Sequence, residues 1–351
     1  MKTVVTAAIE DGMILGKDIE VGGKVAIKSG TKVDSLIKQK LMAFKLMTVE
    51  VLEAEDLANS YYEKIRVSEQ FKKFQVDYNA NLAAYKVAVD SFIYKKVPFR
   101  FQDLKTIADN LCPEYLPGKK LLSYINILLP KEADMSYAHG LNVALICKKM
   151  GRWFKLTPEE QDILVYCGFL YDIGKFMLPQ DIIWKPDKLN KMEFDLIQTH
   201  PFYGYHMLSK SINVNEHILN ATLMHHERCD GTGYPQGLNR DEIDKFAKMI
   251  AIADVYEAMT SARSYRAPMN PYKVIEIIKG DMFHKYDIAY ISTFLNHILD
   301  ELIGNMVSLS NGMQGEVIMN NPTALGRPVV KCEDIVVNLA QEKSINILAI
   351  V

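Results

Sequence analysis

The residues from His225 to Pro235 (His-His-Glu-Arg-Cys-Asp-Gly-Thr-Gly-Tyr-Pro) place two neighbouring imidazoles ahead of a carboxylate and a glycine-rich loop. Neutral imidazoles accompanied by carboxylates suit zinc, iron or manganese. Successive side chains on a helix point about 100° apart, so His225 and His226 are expected to serve two neighbouring metals rather than share one. Further polar residues lie in apolar surroundings. His139 stands beside Leu141, Val143 and Ala144, and Asp172 follows Phe169-Leu170-Tyr171. His200 precedes Pro201, and Asp254 closes Ile250-Ala251-Ile252-Ala253. A buried carboxylate or imidazole costs several kcal/mol unless it is paired or metal-bound. Any one of these could be a satisfied core group or a helix cap. Four histidines and two aspartates in one apolar helical region point instead to a metal centre.

These residues need helices to hold them. Ile218, Leu219, Leu223 and Met224 suggest an amphipathic helix ending at the His pair. Thr157-Pro158-Glu159-Glu160 reads as a capping box with proline at the first helical position, and Asn190 with Glu193 as a second helix start. No alternating strand pattern interrupts the region, so residues 126–304 are expected to form an all-α domain. Residues 1–55 alternate short β-like runs (Lys2–Ala8, Met13–Ile19, Val25–Ile27, Leu46–Leu52) with glycine turns and one helix over Ser35–Phe44, a small α+β module. Residues 56–125 form a helical connector, in which Phe71, Phe74, Tyr78, Leu82, Tyr85, Val89 and Phe92 recur at helical spacing as a packing stripe. Residues 305–351 carry short β-like runs at Val307–Leu309, Gly315–Met319, Val329–Lys331 and Ile345–Val351, a β-rich tail. The expected fold is mainly α.

Composition excludes several classes. The 41 Lys plus Arg against 43 Asp plus Glu give no basic excess for binding DNA or RNA. The five cysteines lack CxxC spacing, which argues against a thiolate zinc site and against a disulfide framework. No apolar run approaches the roughly 18 residues of a membrane span, and Glu10 and Asp11 interrupt the N-terminal apolar stretch. The expected location is the cytoplasm.

Tyr171-Asp172-Ile173-Gly174-Lys175 resembles an HDIGK motif. His225-His226-Glu227 with Asp230-Gly231 and Gly233-Tyr234-Pro235 resembles HHExxDGxGYP. Ile252 to Tyr256, followed by Met259 to Arg263 and Arg266, is similar to the next block of the same family, the HD-GYP subgroup of the HD-domain phosphohydrolases. The resemblance covers about residues 130–300. It implies a metal-dependent phosphodiesterase that hydrolyses the bacterial second messenger cyclic di-GMP by attack of metal-bound hydroxide on phosphorus. By position, His139, Asp172, His200, His225, His226 and Asp254 would be ligands of two transition metals, iron first, with manganese or zinc as alternatives. Asp172 would bridge them. Lys175 would meet a phosphate oxygen, Arg263 and Arg266 would hold the nucleotide, and Tyr234 would border the site. The Gly-Tyr-Pro loop is also implied as a contact for diguanylate cyclase domains. Two positions depart from the pattern. Tyr171 replaces the first His of the HD pair, and Met135 stands where members with three metals carry Glu. Both withdraw ligands from one end, so the alternative is a degenerate domain that binds metal and cyclic di-GMP, or a protein partner, with little turnover.

Overall fold

A computed structural model describes residues 2–51, 61–112, 118–183, 185, 187–261, 269–321 and 323–351. They fall into two compact units, Met1–Lys72 with Val351, and Lys73–Ile350.

The first unit contains β1 (Lys2–Val5), β2 (Ile19–Val21), β3 (Lys24–Ile27), α1 (Ser35–Ala43), β4 (Thr48–Val51) and α2 (Tyr61–Val67). β1 pairs antiparallel with β4, and β2 with β3 through a Gly22-Gly23 turn whose positive φ values (62° and 75°) only glycine adopts freely. Asp34 caps α1 by accepting from the Ile37 N–H at 2.8 Å. Ile9, Leu15, Ile27, Val33, Leu41 and Val49 form the core. The strand expected over Met13–Ile19 is shorter than its apolar run. Ile14 and Leu15 make isolated bridges and β2 begins only at Ile19, because Gly16 turns its N–H to the Glu50 carbonyl.

α3 (Glu69–Lys95) begins at the end of the first unit and runs into the second, and it buries the aromatic stripe from Phe71 to Phe92, as packing requires. α4 (Phe101–Leu111), α5 (Gly118–Ile127) and α6 (Met135–Trp153) follow, then α7 (Pro158–Leu170), which begins with the expected capping box at Thr157 and Glu160. A 3-10 turn over Ile173–Met177 leads to α8 (Gln180–Ile183), α9 (Lys191–Ile197), α10 (His200–Leu208) and α11 (Glu216–Met224). α12 (Lys245–Thr260), α13 (Pro271–Ile277) and α14 (Ile288–Leu302) complete the helices. A five-stranded antiparallel sheet closes the unit, built from β5 (Met306–Leu309), β6 (Gln314–Met319), β7 (Val329–Cys332), β8 (Ile335–Asn338) and β9 (Ile347–Ile350) in the order β8-β7-β6-β5-β9. β8 is absent from the sequence reading. It is a short hairpin partner of β7 in which Val337 is buried while Ile335 and Val336 face out, so it lacks clean alternation. The fold is mainly α, with a small N-terminal α+β part and a β-rich tail. Among the described residues no helix is long and apolar enough to cross a membrane.

Glycines set the spacing that positions the polar residues. A Cβ on Gly168 of α7 would lie 2.6 Å from the Ala144 Cα of α6, so the two helices touch through their backbones. A Cβ on Gly174 would lie 1.9 Å from the His200 carbonyl oxygen and 2.6 Å from the Gly204 nitrogen. Gly174→Ala is therefore expected to push α10 away and to destabilise the protein by about 1–3 kcal/mol, the cost of overpacking. Urea unfolding checks this, and an unchanged midpoint would show that the contact yields freely.

Candidate metal centre

His139 projects from α6, Asp172 from the turn after α7, His200 from the first turn of α10, and Asp254 from α12. His225 and His226 follow the last residue of α11. All six side chains converge. A cavity of about 220 Å³ opens on three of them, His139, Asp172 and Asp254, and is lined also by Lys175, Phe176 and Ile197 among others.

At one end, His200 and His225 are held by the backbone. His200 donates Nδ1–H to the Ile197 carbonyl at 2.7 Å, and His225 donates Nδ1–H to the Thr222 carbonyl at 3.0 Å. With those donors fixed, each ring turns its Nε2 inward, the atom able to carry a lone pair for a ligand. The two Nε2 atoms are 3.0 Å apart, and Asp172 Oδ1 is 3.2 Å from that of His200 and 3.8 Å from that of His225. Asp172 Oδ1 is buried and accepts no hydrogen bond. Three electron-pair donors facing one another is an arrangement suited to a cation. Burial, with His200 nearby, pushes the His225 imidazole down to about 3, and burial with His225 nearby holds His226 well below the usual histidine range. Both rings are thus neutral ligand forms.

His200, His225 and His226 have ligand atoms within 4.8 Å of one another and could hold a single metal ion. A single shared ion is thus an alternative to the two neighbouring metals expected from the helical angle. α11 ends at Met224, so the His pair sits in the turn beyond it, with ring centroids 4.2 Å apart.

At the other end, His139 Nε2 lies 2.9 Å from Asp254 Oδ1, 2.7 Å from the Tyr171 hydroxyl and 3.8 Å from Asp172 Oδ2. The Tyr171 hydroxyl is also 2.8 Å from Asp254 Oδ1. Burial and the Asp254 carboxylate raise the Tyr171 phenol far above its ordinary range, so it remains protonated. Burial opposes a charged His139, but Glu257 and Asp254 outweigh it and raise this ring to about 10. Burial likewise opposes ionised Asp172 and Asp254. Lys175 holds the first well below the carboxylate range, and His139 the second. Lys175 Nζ meets Asp172 Oδ2 at 2.6 Å. Met135 is buried in the first turn of α6 and offers no oxygen ligand.

Tyr234 stacks on His226, with centroids 4.6 Å apart and planes 23° from parallel. Its loop is fixed by Glu227, which is buried and accepts from the backbone N–H of Gln236, Gly237 and Leu238 at 2.7, 3.2 and 3.0 Å. A Cβ on Gly233 would lie 2.4 Å from the Glu227 Cα, so glycine is required there. Arg263 and Arg266 lie outside the described residues.

Sequence reasoning missed Glu257. It is buried and takes the His139 Nδ1–H at 2.6 Å, the Asn142 side-chain amide at 2.8 Å and the Ser261 hydroxyl at 2.7 Å. Its spacing from Asp254, three residues on along α12, was the available signal, since that interval keeps two side chains on one helix face.

Residues 124–289 match the HD domain family. Within that stretch the Asp172-Gly174-Lys175 segment, the His pair and the Gly-Tyr-Pro loop are similar to the motifs of the HD-GYP group of that family. A cyclic di-GMP phosphodiesterase of Pseudomonas aeruginosa is 33% identical over 211 residues, covering 60% of this chain and 50% of that one. A 3'3'-cGAMP-specific phosphodiesterase of Vibrio cholerae is 37% identical over 154 residues, covering 43% of this chain and 35% of that one. The chain thus spans half or less of the length of these curated relatives. Among solved structures, a Bdellovibrio bacteriovorus protein described as HDG"Y"P superposes with a TM-score of 0.53 at 15% identity, over 85% of this chain and 99% of that one, a likeness of fold.

Proposed function

We propose that the chain is a metal-dependent phosphodiesterase that hydrolyses cyclic di-GMP. The observation that carries the reading is the convergence of His200 Nε2, His225 Nε2 and the unpaired Asp172 Oδ1 within 3.0–3.8 Å. These atoms, with His226, would hold one metal ion. Asp172 extends toward His139 and Asp254, which would hold a second more weakly because Tyr171 takes a ligand's place. Iron is the first choice, then manganese or zinc. When bound, the metals activate water at neutral pH and neutralise charge developing on the phosphoryl oxygens.

The chain's own residues bind and orient the substrate. Lys175 presents fixed positive charge at the cavity and exchanges its Asp172 partner for a phosphate oxygen. Tyr234, stacked on His226, borders the entrance, and Arg263 and Arg266 grip the nucleotide. The loop anchored by Glu227 offers a contact for a diguanylate cyclase domain. The protein works in the cytoplasm, and the division at residues 55, 125 and 304 separates input, connector, catalytic domain and tail. A second reading, binding with little turnover, is favoured by the protonated Tyr171 between His139 and Asp254.

Elemental analysis of protein purified without chelator is expected to find about two transition-metal equivalents. Incubation of iron-restored protein under reducing conditions should open cyclic di-GMP faster than 3'3'-cGAMP, with the linear products separated by chromatography. Absence of any transition metal would sink the site, and cleavage of 3'3'-cGAMP alone would sink the substrate.

A further inference from the structure

We propose that Tyr78, on α3 and outside the region matching the HD domain, is a positioning residue for the metal ligand His139, acting through Asn142 and Glu257. The inference rests on the metal reading of the site and goes beyond it by placing a helix of the connector in control of one ligand.

The chain of contacts is continuous and buried. The Tyr78 hydroxyl donates to Asn142 Oδ1 at 2.8 Å. Asn142 Nδ2 donates to Glu257 Oε1 at 2.8 Å, and Glu257 Oε2 accepts the His139 Nδ1–H at 2.6 Å. Tyr78, Asn142, Glu257 and His139 are each 8% exposed or less. Direction is fixed at every link. The phenol is neutral, since burial and the Glu257 charge raise it far above its ordinary range, so it has one O–H to give. That donor selects the Asn142 rotamer with oxygen toward α3 and nitrogen toward Glu257. Glu257 takes the Asn142 amide nitrogen on Oε1 and the imidazole N–H on Oε2, so the two links share one carboxyl group. The imidazole is held with Nε2 directed at Asp254 and the cavity, as partners of metal-bound histidines generally do.

Nothing else about Tyr78 demands a hydroxyl. Its ring packs on Phe74, centroids 6.0 Å apart, and phenylalanine keeps that contact. Removing the oxygen leaves the Asn142 acceptor buried and unpaired, and frees the amide to turn. Tyr85, two turns along the same helix, is an internal control. It is equally buried, but its hydroxyl bonds the Phe169 carbonyl and lies outside this chain.

The test is titration of metal-stripped full-length protein with Mn²⁺ alone, without nucleotide. Tyr78→Phe is expected to weaken binding at the His139 end by roughly 10-fold and Glu257→Gln by roughly 10- to 100-fold, the range for outer partners of ligands. Tyr85→Phe should lower the melting temperature and leave Mn²⁺ affinity unchanged. The double variant Tyr78→Phe/Glu257→Gln should bind no more weakly than Glu257→Gln, because both act on one path. Additive losses, an unchanged Tyr78→Phe affinity, or an equal loss in Tyr85→Phe would each overturn the proposal, as would a wild type that takes up no Mn²⁺. Metal uptake without cleavage of cyclic di-GMP would sink the substrate reading and leave this one standing.

Discussion

Asp172→Ala is expected to empty both metal positions and cut hydrolysis by about 10³-fold or more, the scale of a lost electrostatic contact at a reacting group. Asp172 spans the two ends of the site. Oδ1 lies 3.2 Å from His200 Nε2, and Oδ2 lies 3.8 Å from His139 Nε2 and 2.6 Å from Lys175 Nζ. Removing it withdraws negative charge from both ends and from beside Lys175. The helices should survive, because Asp172 makes no side-chain cap bond to the turn that follows it. Metal analysis and circular dichroism on the same sample decide the matter. Full metal content with normal dichroism would reduce Asp172 to a helix-end carboxylate.

Tyr171→His should act in the opposite direction, raising metal occupancy or turnover by roughly 10- to 100-fold. The Tyr171 hydroxyl stands within 2.8 Å of both His139 Nε2 and Asp254 Oδ1. A phenol kept protonated by burial occupies one ligand lone pair with its hydrogen and offers a poor ligand in return. An imidazole in its place supplies a nitrogen lone pair and frees Asp254. Occupancy and kcat should rise together, with KM for cyclic di-GMP little changed, because the substitution leaves the proposed phosphate contact Lys175 in the sequence. If neither rises, and the wild type already turns over as fast as enzymes with an intact HD pair, Tyr171 is no lesion.

Much of this was legible in the residues. The capping boxes at Thr157 and Asn190 mark helix starts through local hydrogen bonding, so they survive whatever tertiary structure surrounds them. The aromatic stripe of α3 follows from one periodicity. The six candidate ligands carry their chemistry in their side chains, and apolar neighbours expose them. What escaped depends on contacts distant in sequence. Glu257 and Asn142 look like ordinary polar residues of two helices until those helices meet, 115 residues apart. Tyr78 was rightly read as packing, but one hydroxyl oxygen separates packing from a directed hydrogen bond. The placing of His225 and His226 depended on where α11 stops, a boundary that amphipathic periodicity leaves loose by a residue or two.

Glu227 grips three consecutive main-chain N–H groups and reads none of the side chains that carry them. Gln236 and Leu238 are therefore free to drift in sequence without loosening the loop, provided neither becomes proline, which has no N–H to offer. Gly237 is less free, since its φ of 68° favours glycine. The loop's shape thus rests on its glycines and on a carboxylate adjoining the His pair, and not on the side chains of Gln236 and Leu238. The outward chemistry of this rim is thus open to change while the backbone beneath it, and the His pair it adjoins, stay in place.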